Sequence, residues 1–303
     1  MQNLGTRLFA SPYLLLTLTS LFWAGNIVLG RYAAGHVPPV ALAFVRWTGA
    51  FLIVIAFAWP FLKRDWQTIR TNIGIMLLLT LAGITIYNSL AYWGLQYTQA
   101  LNGLLIASCQ PLLVAAWSMI LYRDRLTLWQ TIGIALSLCG VLVVLTRGDF
   151  TVLKDVRFNS GDLAFFIAQI IYAFYTTLLK SRPKISPISF LAFTMGAGAL
   201  MLSPVYALEL ASGRTFPLDL KSFLILGYIT IFPSLLAYLF FNRGVELIGP
   251  NRSAPFYHLI PVFGSAMAIA FLGERPEIFH AIGYSLVLIG IFIGTRSSRL
   301  RPK

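Results

Sequence analysis

"ALAFVRWTGAFLIVIAFAW", residues 41–59, places a single arginine, Arg46, inside an otherwise uncharged and largely apolar run. At about 1.5 Å per residue, a helix of this length crosses most of the roughly 30 Å of hydrocarbon in a bilayer. A guanidinium in such a run costs about 2.5–3.5 kcal/mol at the centre of a membrane helix, so it needs a partner or water. Two interpretations of Arg46 stay open. Its side chain extends to the outer interface, or it faces a cavity and binds carbonyls or an anionic ligand.

The composition of the whole chain also indicates a membrane protein. Of its 303 residues, 58 % are hydrophobic and 11 % charged, and the mean hydropathy is +0.78. Soluble proteins carry about 25 % charged residues, so the composition predicts an integral membrane protein. The net charge of +13 is scattered over short loops and the tail, which indicates membrane orientation and no nucleic-acid partner. Cys109 and Cys139 lack the spacing of metal ligands or of a disulfide framework and are interpreted as small core residues.

Apolar runs bounded by charges, proline or glycine predict ten transmembrane helices. The expected bounds are 12–30, 39–61, 72–96, 100–121, 128–146, 160–180, 187–208, 221–242, 250–272 and 278–296. If the loops alternate between two sides, the side of the N-terminus holds fifteen lysines and arginines and the other side seven. Because positive charge marks the cytoplasmic side, we expect an integral protein of the cytoplasmic (inner) membrane with both termini in the cytoplasm.

The longest connection, residues 147–162, separates two similar halves. When the first half is shifted by 150 places, its glycines and prolines fall on those of the second: Gly94 on Gly244, Pro111 on Pro261, Gly133 on Gly283 and Gly140 on Gly290. Each half holds five predicted helices, an odd number, so the second half enters the membrane inverted. The predicted fold is therefore all-α, with two inverted-topology five-helix repeats, 1–150 and 151–303, around a central cavity. This design is typical of secondary transporters.

The motifs of the two halves also resemble a known group. In the first half they are "LFWAGNIVLGRY" (21–32), "VPPVALAFVRW" (37–47) and "YWGLQYTQALNGLLIASCQPLLVAAW" (92–117), and in the second "NRGVELIGPNRSAPFYHLIPVFG" (242–264). Over nearly the whole chain they are similar to the ten-helix drug/metabolite transporters of the EamA type. The resemblance implies export of amino acids or related metabolites, with an aromatic-rich lining like that of aromatic amino-acid exporters, and no cofactor. Asp124 and Glu274 fill the places where the family often has an acidic residue.

Polar and aromatic side chains within the apolar runs are the candidates for the cavity, because unsatisfied polar atoms facing lipid are costly. In the eighth predicted helix, for example, Ser234, Tyr238 and Asn242 recur every four residues along one face. The candidate cavity residues are Trp23, Asn26, Arg46, Tyr87, Asn88, Tyr92, Gln110, Gln169, Tyr172, Tyr238, Asn242, Tyr257 and His258, with Pro111 and Pro261 as helix kinks.

Structural alternatives accompany several of these candidates. Asn26 could bond to a neighbouring helix instead of a cargo, and His258 could serve packing instead of a proton relay. Aromatic residues near the span ends are expected to anchor the chain at the membrane interface. They are Trp47, Trp59, Trp66, Trp129 and Tyr13.

All ten acidic residues lie in loops or at predicted helix ends, so no deep carboxylate is available to bind sodium or carry a proton. We therefore expect a uniporter for a small neutral or zwitterionic molecule, working in the lipid bilayer without a metal. The alternatives are a drug or lipid-linked metabolite exporter, with or without proton coupling, and more remotely a membrane-embedded enzyme. If protons are coupled, His258 or backbone carbonyls are the candidates to carry them. The spans offer no nucleophile, acid–base pair or metal cluster, so an enzyme is not expected. Two repeats in one chain supply a full pathway, so a monomer should suffice, while an oligomer stays open.

Overall fold

A computed structural model describes residues 9–33, 36–98, 100–272 and 275–295 of the chain. This part of the chain is helical and contains no strand. The first five helices are α1 (Pro12–Ala33), α2 (Pro39–Thr71), α3 (Ile73–Tyr97), α4 (Ala100–Ala107, continuing as Gln110–Tyr122) and α5 (Leu128–Leu145).

A short 3-10 helix, Phe150–Asp155, lies in the connection between the halves. The remaining helices are α6 (Ser160–Ser181), α7 (Pro187–Ala211), α8 (Leu220–Ile248), α9 (Pro250–Ser253, Ala254–His258 in 3-10 form, and Leu259–Leu272) and α10 (Ile278–Thr295). By length and composition, eight helices in the described chain are able to cross a membrane, namely α2 to α8 and α10. The chain is thus an all-helical membrane protein.

Helices α2 and α8 extend furthest beyond their predicted ends. The prediction closes α2 at residue 61 and α8 at residue 242, but the helices continue to Thr71 and Ile248. The prediction uses charged residues as helix boundaries, and Lys63, Arg64 and Arg70 are indeed exposed. A helix that leaves the hydrocarbon keeps its backbone hydrogen bonds, however, so charge alone does not end it.

Local sequence explains where several helices begin. Thr127 and Gln130 form a capping box at the start of α5, and Asn159 and Asp162 form one at the start of α6. Asp219 caps α8 by accepting a hydrogen bond from the Ser222 backbone N–H (2.8 Å), and this bond lowers the pKa of the Asp219 carboxyl. These polar caps fix the entry of the chain into each apolar helix.

Helices α2 and α7 are capped by each other's carboxylates. Near the end of α7, Glu209 accepts hydrogen bonds from the backbone N–H groups of Val40 (3.3 Å) and Ala41 (2.7 Å), in the first turn of α2. On α2, Asp65 accepts one from the backbone N–H of Ser186 (2.8 Å), which immediately precedes α7. Both carboxylates are largely buried. They satisfy backbone donors that a helix start leaves unpaired.

Helices α5 and α10 approach each other through glycines. A Cβ added at Gly133 would lie 2.5 Å from the carbonyl oxygen of Gly290, and one added at Gly140 would lie 2.7 Å from that of Gly283. The contacts run in opposite directions along the two helices, so the helices are antiparallel. Cys139, beside Gly140, is exposed on another face of α5, so its interpretation as a core residue is wrong.

Helices α3 and α8 each contain one π-helical turn, at Leu81–Ile86 and Thr230–Leu236. Such turns are rare and leave some carbonyls without their usual partner four residues on, often at functional sites. The turn in α3 packs against α6, and the turn in α8 packs against α2. Helix α6 is the most deeply buried of the eight candidate spans and is therefore central to the molecule.

Candidate functional site

Arg46 lies in the interior of the molecule and is paired with neutral side chains. Its Nε donates to Ser234 Oγ (2.7 Å), and its Nη1 donates to Asn88 Oδ1 (3.2 Å) and to the Tyr92 hydroxyl. The Tyr92 hydroxyl in turn donates to Asn26 Oδ1 (2.9 Å). Arg46 is only 1 % exposed, so its side chain does not extend to the interface. Helices α1, α2, α3 and α8 meet at this one guanidinium.

The π-helical turn of α8 places the partner of Arg46. Ser234 lies within that turn and donates its own hydroxyl hydrogen to the Ile229 carbonyl (2.6 Å), five residues earlier. Its oxygen is then oriented to accept from Arg46 Nε. In the described chain, the hydrogen bonds of Arg46 use Nε and Nη1 but not Nη2. The guanidinium thus keeps one donor group for another ligand.

Trp47 is part of this interior site, although the sequence indicated an interface anchor. It is fully buried, and the Arg46 guanidinium carbon lies 4.8 Å from its ring centroid. The ring also contacts Tyr238, with 4.9 Å between centroids. The prediction for Trp47 is wrong because distance from a helix end does not say which face of the helix packs inward. The other predicted anchors are exposed: Tyr13, Trp59, Trp66 and Trp129.

Seven rings from five helices form a second feature, which we call the aromatic cluster. Its members are Trp23, Tyr87, Tyr172, Tyr175, Tyr238, Phe241 and Tyr257. Tyr172 is at its centre, with ring centroids of the six others between 4.3 and 6.3 Å away. The rings belong to α1, α3, α6, α8 and α9, so both halves of the chain contribute.

Side chains of the cluster bond to carbonyls of the π-helical turns. The Tyr238 hydroxyl donates to the Gly83 carbonyl (2.7 Å) in the turn of α3, and Trp23 Nε1 donates to the Pro233 carbonyl (3.3 Å) in the turn of α8. Each bond joins one half of the chain to the other. The irregular turns thereby align the cluster with the Arg46 site.

In this region the amide nitrogen of Asn242 and the indole nitrogen of Trp47 are buried without a hydrogen-bond partner in the described chain. The Tyr257 hydroxyl lies within hydrogen-bonding reach of Thr176 and Tyr172. The oxygen of the same Asn242 amide accepts from the Tyr175 hydroxyl (2.8 Å), so only its nitrogen is unused. Buried polar atoms are rarely left unpaired, because each costs about 1–3 kcal/mol.

The remaining predicted site residues lie at the edges of this arrangement. With its amide oriented to satisfy both groups, Gln110 donates to Gln169 Oε1 (3.0 Å) and joins α4 to α6. His258 follows Tyr257 on α9 and contacts α4 and α5. Its ring nitrogens are paired with Ser137 Oγ (2.6 Å) and the Ser108 carbonyl (3.0 Å). Both nitrogens are thus engaged in contacts between helices.

The two predicted kinks coincide with irregular backbone. Pro111 follows the turn at residues 108 and 109 that interrupts α4, and Pro261 follows the 3-10 segment Ala254–His258 of α9. A proline in the first turn of a helix needs no backbone donor, so each can begin the regular segment that follows.

Acidic side chains lie away from the guanidinium. Arg46 makes no ion pair with any described residue, and no group of His, Cys, Asp and Glu in the described chain could hold a metal ion. Asp162 is buried, but it bonds to Thr98 and Asn102 at the start of α6. Asp124 forms an exposed ion pair with Lys180, and Glu274 lies outside the described residues.

Sequence reasoning did not include several members of the site. Tyr175 could have been found, since it lies three residues after Tyr172 on the same helical face. Phe241 and Trp47 gave no such signal, because an apolar or aromatic residue in a membrane helix can face lipid equally well. Ser234 was noted on the face of Tyr238, but its role depends on the π-helical turn.

The chain is similar to a family of membrane transporters over most of its length. The EamA-like transporter family matches the chain twice, over residues 10–146 and 159–296. The uncharacterized transporter YyaM of Bacillus subtilis (strain 168) is 29 % identical over 297 residues, which cover 96 % of this chain and 95 % of that protein. A probable terminal-alkyne amino-acid exporter of Streptantibioticus cattleyicolor is 22 % identical, covering 93 % of this chain and 92 % of that protein.

A solved crystal structure has a similar fold, with a TM-score of 0.71 at 18 % identity over 93 % of this chain and 96 % of that one. The two family matches together span most of the sequence and both halves of the interior site. The chain therefore belongs to the EamA-like transporter family and is a transporter, not an enzyme.

Proposed function

We propose that this protein exports amino acids, aromatic or other neutral ones, or similar small metabolites, across the cytoplasmic membrane by alternating access. The setting of Arg46 carries the proposal. The guanidinium is 1 % exposed, and its partners in the described chain are neutral. A buried charge without a counter-charge is unfavourable, and a carboxylate matches the two-pronged geometry of a guanidinium. A cargo carboxylate would supply that counter-charge.

The aromatic cluster supports the proposal that the cargo has an aromatic or other apolar side chain. Rings from both halves surround Tyr172, and aromatic side chains pack well on one another in offset or edge-on geometry. A cargo with an apolar or aromatic body fits among such rings better than a strongly hydrated one. The similarity to a probable terminal-alkyne amino-acid exporter agrees with this class of cargo.

For the architecture we propose ten spans arranged as two inverted repeats, 1–150 and 151–303, around a central cavity. Under the shift of 150 places, Gly133 corresponds to Gly283 and Gly140 corresponds to Gly290. The contacts Gly133–Gly290 and Gly140–Gly283 are therefore equivalent under the repeat, and both are present. Each half also contains one π-helical turn and one match to the family. Transporters of this design bind cargo at the interface of the repeats. One chain would then suffice as the functional unit.

Uniport is the mode of transport that we propose. The acidic residues of the described chain cap helices, form ion pairs or are exposed, so none beside Arg46 is available to carry a proton. The alternative is a proton-coupled exporter of drugs or lipid-linked metabolites that uses His258. Both ring nitrogens of His258 are already engaged, which favours a packing role for this residue.

The experiment that tests the proposal is transport by the purified protein in liposomes. A panel of labelled amino acids, phenylalanine and threonine included, is followed by counterflow with and without a pH gradient. Saturable transport that is indifferent to the gradient is expected. A requirement for the gradient would overturn uniport and direct attention to His258. Absence of transport for the whole panel, from protein shown to be folded, would overturn the cargo assignment.

A further inference from the structure

The C-terminal part of α2 has an exposed face on which tryptophans flank a lysine. Trp59, Lys63 and Trp66 are spaced four and three residues apart, so they lie on one face of the helix. Trp59 is 54 % and Trp66 50 % exposed, and Lys63 is exposed between them. The Lys63 ammonium lies over the Trp59 ring, 5.0 Å from its centroid. We call these three residues the α2 stripe.

The positive charge of the α2 stripe is not neutralised by the protein. Lys63 forms no ion pair with an acidic side chain in the described part of the chain. Asp65, the acid nearest to it in sequence, is engaged by Arg64 Nε (3.0 Å) and by the backbone N–H of Ser186 (2.8 Å). The complementary partner of the stripe is therefore an anion, and the exposed indoles favour one that also has an apolar part.

The length of α2 places the stripe at the edge of a bilayer. The 33 residues of this helix span about 50 Å, whereas the hydrocarbon is about 30 Å thick and a whole bilayer about 40–45 Å. Measured from Pro39, Trp59 lies about 30 Å and Lys63 about 36 Å along the axis. The sequence has no charged residue between Arg46 and Lys63. Lys63 therefore lies in the headgroup layer, with Trp59 at the border of the hydrocarbon.

We propose that the α2 stripe binds the headgroup of an anionic phospholipid. The Lys63 ammonium pairs with the lipid phosphate, and the rings of Trp59 and Trp66 pack beside it at the level of the headgroups. Phosphatidylcholine brings its own cation next to its phosphate, so the stripe prefers a lipid with net negative charge, such as phosphatidylglycerol. Because the same helix carries Arg46, the bound lipid anchors the helix that holds the interior guanidinium.

Quenching of tryptophan fluorescence by brominated lipids tests this preference. The full-length protein is reconstituted in liposomes that contain an equal fraction of brominated phosphatidylglycerol or of brominated phosphatidylcholine. The signal of the stripe is the quenching that disappears when Trp59→Phe and Trp66→Phe are introduced together. Phosphatidylglycerol should bind there about fivefold more tightly, the gain expected from one lysine at a membrane surface. Lys63→Gln should bring the ratio of the two affinities to about one, and Lys63→Arg, which keeps the charge, should preserve it.

The matched control is Arg70→Gln, which removes a charge from an exposed position on the same helix. Arg70 lies about 47 Å from Pro39, beyond the headgroup layer, so this variant should keep the fivefold preference. The same subtraction of the two tryptophans is applied to each charge variant. Equal affinities for the two lipids in the unaltered protein, or a preference that survives in Lys63→Gln, would overturn the lipid site. Equal losses in Lys63→Gln and Arg70→Gln would also overturn it, since the attraction would then come from the overall surface charge.

Discussion

Arg46 is the residue on which the proposed transport depends most directly. Its hydrogen bonds reach acceptors on two helices, and its Nη2 group is not used within the described chain. We expect Arg46→Gln to lower kcat/KM for a carboxylate-bearing cargo about ten- to hundredfold, since a charged hydrogen bond is worth about 1.5–3 kcal/mol. Transport of the matching amide should fall less. Paired measurements of the acid and its amide in liposomes give the comparison.

Arg46→Lys should fail to restore the function, because a single ammonium cannot reproduce the planar fork of donors. The matched control is Arg70→Gln, which removes the same charge from an exposed position on the same helix and should leave transport unchanged. Equal losses for the acid and the amide in Arg46→Gln would assign Arg46 a purely structural role.

At the residue scale, the sequence identified the unusual side chain but not its surroundings. One arginine in a long apolar run is visible without a structure, and Asn88 and Tyr92 are visible as candidate cavity residues, but not as its hydrogen-bond partners. Ser234 is 188 positions away, and its proximity depends on how α2 packs against the π-helical turn of α8. Trp47 was misplaced for the same reason. Which face of a membrane helix points inward is set by packing. Hydrophobicity does not reveal that face, because the lipid and the protein core are both apolar.

At the scale of elements, the contact between α5 and α10 makes a clear stability prediction. A Cβ at Gly133 would meet backbone atoms of Gly290 and Gly294 at 2.5 Å, and backbone cannot move aside without separating the helices. We expect Gly133→Ala to destabilise the protein by about 1–3 kcal/mol, as overpacking usually does. Thermal unfolding in detergent should show a Tm lower by several degrees.

Gly74→Ala is the matched control, because an added Cβ at Gly74, on α3, has no neighbour within 4 Å. Its Tm should stay level or rise, since alanine favours a helix more than glycine does. An unchanged Tm for Gly133→Ala would mean that α5 and α10 are farther apart than the structure has them.

The elements themselves were largely predictable, whereas their irregularities were not. Apolar runs between charges located α1 to α10 but not the short helix Phe150–Asp155, and prolines located the breaks in α4 and α9. The π-helical turns gave no signal in the first half, because "LAGITI" (81–86) has a composition ordinary for a membrane helix. The reciprocal caps were also hidden. Glu209 was correctly placed near a helix end, whereas Asp65 lies inside α2 and not in the predicted loop. Only the antiparallel packing of α2 and α7 brings each carboxylate to the start of the other helix.

At the scale of the whole molecule, membrane orientation is the prediction that the charges make. Lysines and arginines favour the side of the N-terminus by fifteen to seven, so that side should be cytoplasmic. The side chains of Asp149, in the connection between the halves, and Lys184, between α6 and α7, are both exposed. In the proposed ten-span arrangement they lie on opposite sides of the membrane. Labelling of single cysteines at these positions therefore reports the orientation directly.

The background for this experiment replaces Cys109 and Cys139 by serine, since these are the chain's two cysteines. In intact cells an impermeant maleimide should label a cysteine at position 149, and it should reach one at position 184 only after permeabilisation. The reverse pattern would mean that the orientation is opposite to the predicted one, with Arg46 nearer the cytoplasmic side than the outer side. Labelling of both positions in intact cells would contradict the odd number of spans between them. Because an odd number in each half is what inverts the second repeat, that result would remove the basis for alternating access about a shared central site.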